Sequence, residues 1–188
     1  HLSIRRQRQM CIRDSGGGGE ASPRVYDTLF QNNHATGDGG GMYSEPYLSS
    51  TSSPMLRRVT FRENQAGGSG GGMVDRAYTG TSSSVLIDVA FERNTAGANG
   101  GGFGVVSIYS AQAHPVLIGV TFHGNSASFA GGGMSVDEYS SVAEPLLINV
   151  AFCGNQAGTD GGALYNAGDT TTLTNVTFAS NWASGRGG

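Results

Sequence analysis

The apolar residues of this chain fall into a pattern that returns at a nearly fixed interval. The stretch FQNNHATGDGGGM, Phe30 to Met42, recurs as FRENQAGGSGGGM (Phe61 to Met73) and FERNTAGANGGGF (Phe91 to Phe103). It recurs again as FHGNSASFAGGGM (Phe122 to Met134) and FCGNQAGTDGGAL (Phe152 to Leu164), and FASNWASGRGG opens a sixth copy at Phe178. The steps from Phe to Phe are 31, 30, 31, 30 and 26 residues. Counting from each Phe, position +3 is always Asn and +5 always Ala, and +9 and +10 are always Gly. Position +12 is Met, Phe or Leu in the five copies that reach it. Upstream, Val59, Val89, Val120, Val150 and Val176 stand at −2, and Leu56, Leu86, Leu117, Leu147 and Leu173 at −5.

The stretch VLIDVAF, Val85 to Phe91, is rich in β-branched and aromatic residues, which favours strand. The step from −2 to 0 has the period of two that a strand requires. The step from −5 to −2 is three, so both residues face inward only if the chain bends between them. Position −3 holds Arg58, Asp88, Gly119, Asn149 and Asn175, mostly residue types that suit a bend. Gly and Asn accept positive φ at low cost, which places corners at +3 and at the Gly pair. So many glycines leave no helical period intact.

Short strands, corners and a fixed period make each unit one turn of a coil. A single unit cannot bury its apolar face, but stacked units align Phe on Phe and Val on Val. Asn on Asn permits a ladder of amide hydrogen bonds. The expected fold is all-β, a right-handed parallel β-helix of about six turns of about 30 residues. Phe61, Asn64, Phe91, Asn94, Phe122, Asn125, Phe152 and Asn155 are its expected structural residues. Collagen would need Gly at every third residue, and a calcium-binding roll or leucine-rich repeat needs periods that are absent. The Gly runs lack the following G-K-[ST] of a phosphate loop.

Residues 1–15 stand outside this pattern. RRQRQMCIRDS, Arg5 to Ser15, is basic and aperiodic, and resembles a translated sequencing adapter of the transposase-tagged type joined to a metagenomic fragment. In one frame the adapter bases encode it residue by residue. The expected organisation is therefore a non-native segment over 1–15, a Gly-rich disordered linker over 16–24, and a β-helix over 25–188 that is cut off at its C-terminal end. Residues 1–15 are expected to make no repeat-like contacts. Setting aside Arg5, Arg6, Arg8, Arg13 and Asp14 leaves 7 of the 11 basic and 13 of the 14 acidic residues, a net charge of −6. An acidic chain without lysine does not suit phosphate backbones, so no nucleic-acid partner is expected. There is no apolar run of about 18 residues, hence no expected membrane span. Cys153 remains as the single native thiol, and no disulfide framework is indicated.

The phrase F-x-x-N followed by G-G-A-[ILV] resembles the repeats of the polymorphic outer-membrane proteins, an autotransporter and adhesin family. Phe152, Asn155 and Gly161-Gly162-Ala163-Leu164 match it in full, whereas other copies carry Gly in place of Ala, as in Gly70-Gly71-Gly72-Met73. The resemblance implies a surface-exposed passenger and transfers no catalytic residues. It places the chain outside the cell or on its surface, in the outer membrane if it is an autotransporter. The architecture is shared with the pectin lyase-like fold, but no paired-Asp signature, catalytic His-Gly or Arg-x-Lys of the β-helix pectinases is present.

The segment after +12 varies between copies. Tyr47, Tyr78, Tyr109 and Tyr139 recur there and would form a stripe, a platform for sugar rings or simple cross-turn packing. Asp75 and Asp137 lie in the same segment on alternate turns, roughly 9–10 Å apart, near the separation that inverting glycosidases use. Solvated surface charge is the competing reading. His34, His114 and His123 occupy unrelated positions, so no metal site and no cofactor are expected, and no catalytic residue is assigned. Asn175-Val176-Thr177 reads as a glycosylation sequon, relevant in a eukaryotic secretory host. The function expected is a non-enzymatic adhesin or rigid stalk with glycans or host-cell surfaces as partners. The alternative is a piece of a β-helix polysaccharide lyase or glycoside hydrolase.

Overall fold

One turn of the structure is built from five short strands. Val85–Ile87, Ala90–Glu92, Thr95–Ala96, Phe103–Ile108 and Gln112–Ala113 follow one another and then repeat one level up. We call the sheets that collect these strands the first to the fifth. The computed structural model describes residues 10–13, 20–46, 49–168 and 170–188. Among these residues every regular element is a strand, and every pairing is parallel and between neighbouring turns. Four of the sheets hold six strands and the fifth sheet holds five. The chain is a right-handed parallel β-helix, as sequential parallel crossovers demand. It has about five turns with partial ones at the ends, slightly short of the six expected. The sixth copy supplies only Thr172–Thr174, Thr177–Ala179 and Trp182–Ala183.

The corners explain the periodicity. Position −3 adopts positive φ in every copy: Asp27, Arg58, Asp88, Gly119, Asn149 and Asn175 lie between 49° and 65°. This is the bend that lets −5 and −2 both face inward. The next corner lies at +2, where Asn32, Glu63, Arg93, Gly124, Gly154 and Ser180 have positive φ. The sequence had placed it at +3, one residue later. Position +3 is instead the buried Asn, and it turns inward because the left-handed residue before it redirects the chain. The Gly at +9 does take positive φ, 66–69° in Gly39, Gly70, Gly100, Gly131 and Gly187 and 65° in Gly161.

Packing follows the register. Phe30, Phe61, Phe91, Phe122, Phe152 and Phe178 stack with centroids 4.6–5.2 Å apart and planes within 8°. The Leu, Val and Phe columns of the four central copies, with Met73, Phe103 and Met134, are essentially inaccessible. Each such Phe contributes about 3–5 kcal/mol, judged by the usual cost of truncation to Ala. Beside them runs the amide ladder. Nδ2 of Asn33, Asn64, Asn94, Asn125 and Asn155 donates to Oδ1 of the Asn one turn on, at 2.8–3.0 Å. The same Oδ1 accepts the backbone N–H of the preceding Asn. The second Nδ2 proton of Asn64, Asn94, Asn125, Asn155 and Asn181 goes to the Phe carbonyl of the turn before. A buried primary amide is thereby fully satisfied.

Two boundary expectations need correction. Met10–Arg13 forms a strand in register with Met42–Glu45, so residues 1–15 do make a repeat-like contact. Glu20–Ala21 pairs with Thr51–Ser52, and Arg24 opens a strand paired with Met55–Arg57, so part of 16–24 belongs to the coil. The physical reason is the open parallel edge of the first full turn, whose backbone groups accept any extended segment. Residues 1–9 and 14–19 lie outside the described set.

Candidate functional site

The fourth sheet has the longest strands, and successive side chains along each point to opposite faces. Phe103, Val105 and Ser107 point into the lumen, and Gly104, Val106 and Ile108 point out. The register then sorts every candidate by face. Asp75 pairs with Ser44 and Val105, and Val105 pairs with Val136, all on the inner face. Asp137 pairs with Val106, and Val106 with Arg76, on the outer face. Asp75 and Asp137 therefore sit two turns apart on opposite sides of one sheet, so the two carboxyls do not converge. A one-residue difference in phase decides this.

Each acid has its own surroundings. Asp75 is wholly inaccessible and accepts a hydrogen bond from the Ser82 hydroxyl. Burial pushes its carboxyl above the usual range, against the hydrogen bond from Ser82. Asp137 accepts from Ser135 Oγ and from Asn99 Nδ2, both at 2.9 Å, and burial also pushes its carboxyl up. Arg76 reaches Asp38 at 3.2 Å and Glu45 at 3.7 Å on the outer face.

The tyrosines come together in part. Tyr78 and Tyr109 meet edge to face, with centroids 5.0 Å apart. Tyr109 and Tyr139 are 60% and 57% exposed. Tyr139 stands in register with Ile108 rather than Tyr109, so the aromatics form an offset patch instead of a straight stripe. The charge of Asp137 raises the Tyr139 phenol. Tyr47 lies outside the described residues.

The histidines stay apart. His114 approaches Glu144 at 3.6 Å, and His123 stands in register with Cys153. Cys153 is exposed and free. Among the described residues no three His, Cys, Asp or Glu side chains gather in metal-binding geometry. Among the described residues no helix is long and apolar enough to cross a membrane, which says nothing of a β-barrel.

Sequence reasoning missed a second ladder at +8. Oδ1 of Asp38 accepts the backbone N–H of Ser69, Oδ1 of Asn99 that of Ala130, and Oδ1 of Asp160 that of Arg186. The signal was available, since +8 reads Asp, Ser, Asn, Ala, Asp, Arg, mostly short polar side chains next to a Gly corner. The inward phase of Asp75 was legible too, because it stands two residues after Met73.

The Chlamydia polymorphic membrane protein repeat matches this chain at residues 27–45 and 149–167. Both matches run from the −3 corner through the second and third sheets to the fourth, the same arc of the first and fifth copies. No curated protein and no solved structure matches the chain. Parts of two of its turns are thus similar to that repeat.

Proposed function

We propose that this chain is the passenger of a surface-exposed or secreted protein, a rigid β-helix that presents side chains to glycans or host-cell surfaces. The observation that carries the reading is the unbroken Phe stack and Asn ladder, which make the coil a stiff rod with near-uniform turns. The likeness of two turns to a polymorphic membrane protein repeat supports a cell-surface location. Within the rod, the Tyr78–Tyr109–Tyr139 patch is the proposed contact surface. The exposed rings of Tyr109 and Tyr139 offer faces for sugar stacking. The lyase or hydrolase reading loses its two-carboxylate pair, because Asp75 faces the lumen and Asp137 faces out.

The test is binding of the purified chain to immobilised glycans and to cultured cells. Saturable binding is expected, with at least a several-fold loss of affinity in a Tyr109→Ala/Tyr139→Ala variant that keeps its melting temperature. Binding unchanged by that double substitution removes the patch from the reading. Release of shortened glycan products would replace the adhesin with an enzyme.

A further inference from the structure

Asp75 is a buried carboxyl on the inner face of the fourth sheet. The inward column there reads Ser44, Asp75, Val105, Val136. The facing column of the fifth sheet reads Ser52, Ser82, Ala113, Ala143. Where Ser84 stands, neighbouring turns carry Pro54, Pro115 and Pro145. The acid and its hydroxyl partners therefore replace Val, Ala and Pro together, in one region only. Ser44 Oγ and Ser52 Oγ bond each other at 2.8 Å, and Ser82 Oγ donates to Asp75 Oδ1. Ser84 lies against the carboxyl through its hydroxyl and its backbone N–H. Yet Asp75 Oδ2, Ser84 Oγ and Ser107 Oγ are buried without a hydrogen-bond partner of good geometry.

No cation offsets a charge here. The strands packed most closely on Met73–Ala77 are Met42–Glu45, Phe103–Ile108, Thr81–Ser82 and Gln112–Ala113. Their only titratable side chains are Tyr43 and Glu45, both on the outer face. Arg76 on the same strand also points out, to Asp38 and Glu45. An ionised Asp75 would leave a bare oxygen in the buried interior, the costliest state for such a group. A proton on Oδ2 turns that oxygen into a donor, and the Ser84 hydroxyl beside it into an acceptor.

We infer that Asp75, Ser82 and Ser84 form a proton-operated latch inside the coil. Protonated, it ties the fourth sheet to the fifth and holds this turn closed. Deprotonated, it loosens this turn while the turns built on Val105 and Val136 stay shut. Because burial favours the neutral acid, the folded state keeps the proton over a pH range in which the unfolded chain has lost it. The stabilisation is full below the unfolded value and is lost as pH rises through the folded one.

The test compares wild type with Asp75→Asn and Asp75→Val by thermal unfolding from about pH 4 to 9. Asp75→Val installs the residue that the next two turns use, so it serves if the Asn variant does not fold. Asp137 titrates in the same direction on the outer face and cancels in the comparison. Wild type is expected to fall behind the variants with rising pH, opening a gap of at least about 3 °C. Hydrogen exchange is expected to quicken in residues 75–84, relative to the variants, with no matching change in 105–115. Melting curves that stay parallel across the range overturn the latch. So does loosening spread equally over both segments.

Discussion

At the residue scale, the Asn at +3 does more than fill its column. Asn94 Nδ2 donates to Asn125 Oδ1 and to the Phe61 carbonyl, while its own Oδ1 accepts both donors of Asn64. Replacing it with Ala strips the buried Phe61 carbonyl of its side-chain donor, removes the acceptor of two Asn64 hydrogen bonds, and leaves Asn125 Oδ1 with only the backbone N–H of residue 94. Each orphaned group costs about 1–3 kcal/mol, so Asn94→Ala is expected to cost at least about 3 kcal/mol. For a chain of this size that lowers the melting temperature by roughly 6–12 °C. Asn181→Ala removes the last rung and leaves fewer groups stranded, so urea unfolding should show a distinctly smaller loss. Equal losses at the two positions would mean that the ladder contributes no cooperative stabilisation.

At the scale of elements, corners decide which residues reach the core. The Gly-rich corner between the third and fourth sheets shows two distinct demands. Gly100 at +9 needs its positive φ of 66°. Gly101 at +10 needs the absence of a side chain, since a Cβ there would overlap the Gly132 carbonyl and the backbone of Ser126. Those obstacles are backbone atoms and cannot rotate away. Gly101→Ala is therefore expected to cost more than about 3 kcal/mol, at the upper end for overpacking. Gly154→Ala meets nothing within 4 Å and bears only the strain of φ 65°, about 1–2 kcal/mol. Denaturant titration of the pair separates the two demands. The strands were legible because the Phe, Val and Leu columns repeat at strand period. The −3 bend was legible from its residue types. The +2 corner was not, because Glu63 and Arg93 carry no turn signature; their left-handed φ is imposed by the rungs stacked on either side. The face of Asp75 followed from counting two residues beyond Met73, whereas its serine partners come from a different sheet and needed the register.

At the scale of the whole molecule, a coil whose turns contact only their neighbours behaves as a one-dimensional stack. Its stability is then a sum of turns and of interfaces between them, and a whole turn is removable if phase is kept. Deleting residues 92–122 joins Phe91 to His123, so the junction reads Phe-His-Gly-Asn and Asn125 takes the place of Asn94 above Asn64. The Leu, Val and Phe columns close over the gap, with Leu86 facing Leu147 and Phe61 below a Phe as before. The shortened chain is expected to fold with an unchanged far-ultraviolet spectrum, and its urea m-value should fall in proportion to the buried surface removed. Deleting 92–121 instead leaves Phe91 and Phe122 adjacent, one pointing in and one out. That cut forces a bulge at the second sheet and sets an aromatic ring in solvent. The out-of-phase variant is expected to unfold at lower urea than the in-phase one, although it retains one residue more. Identical midpoints would show that the columns do not fix register, and that the rod tolerates slippage that its Asn ladder forbids.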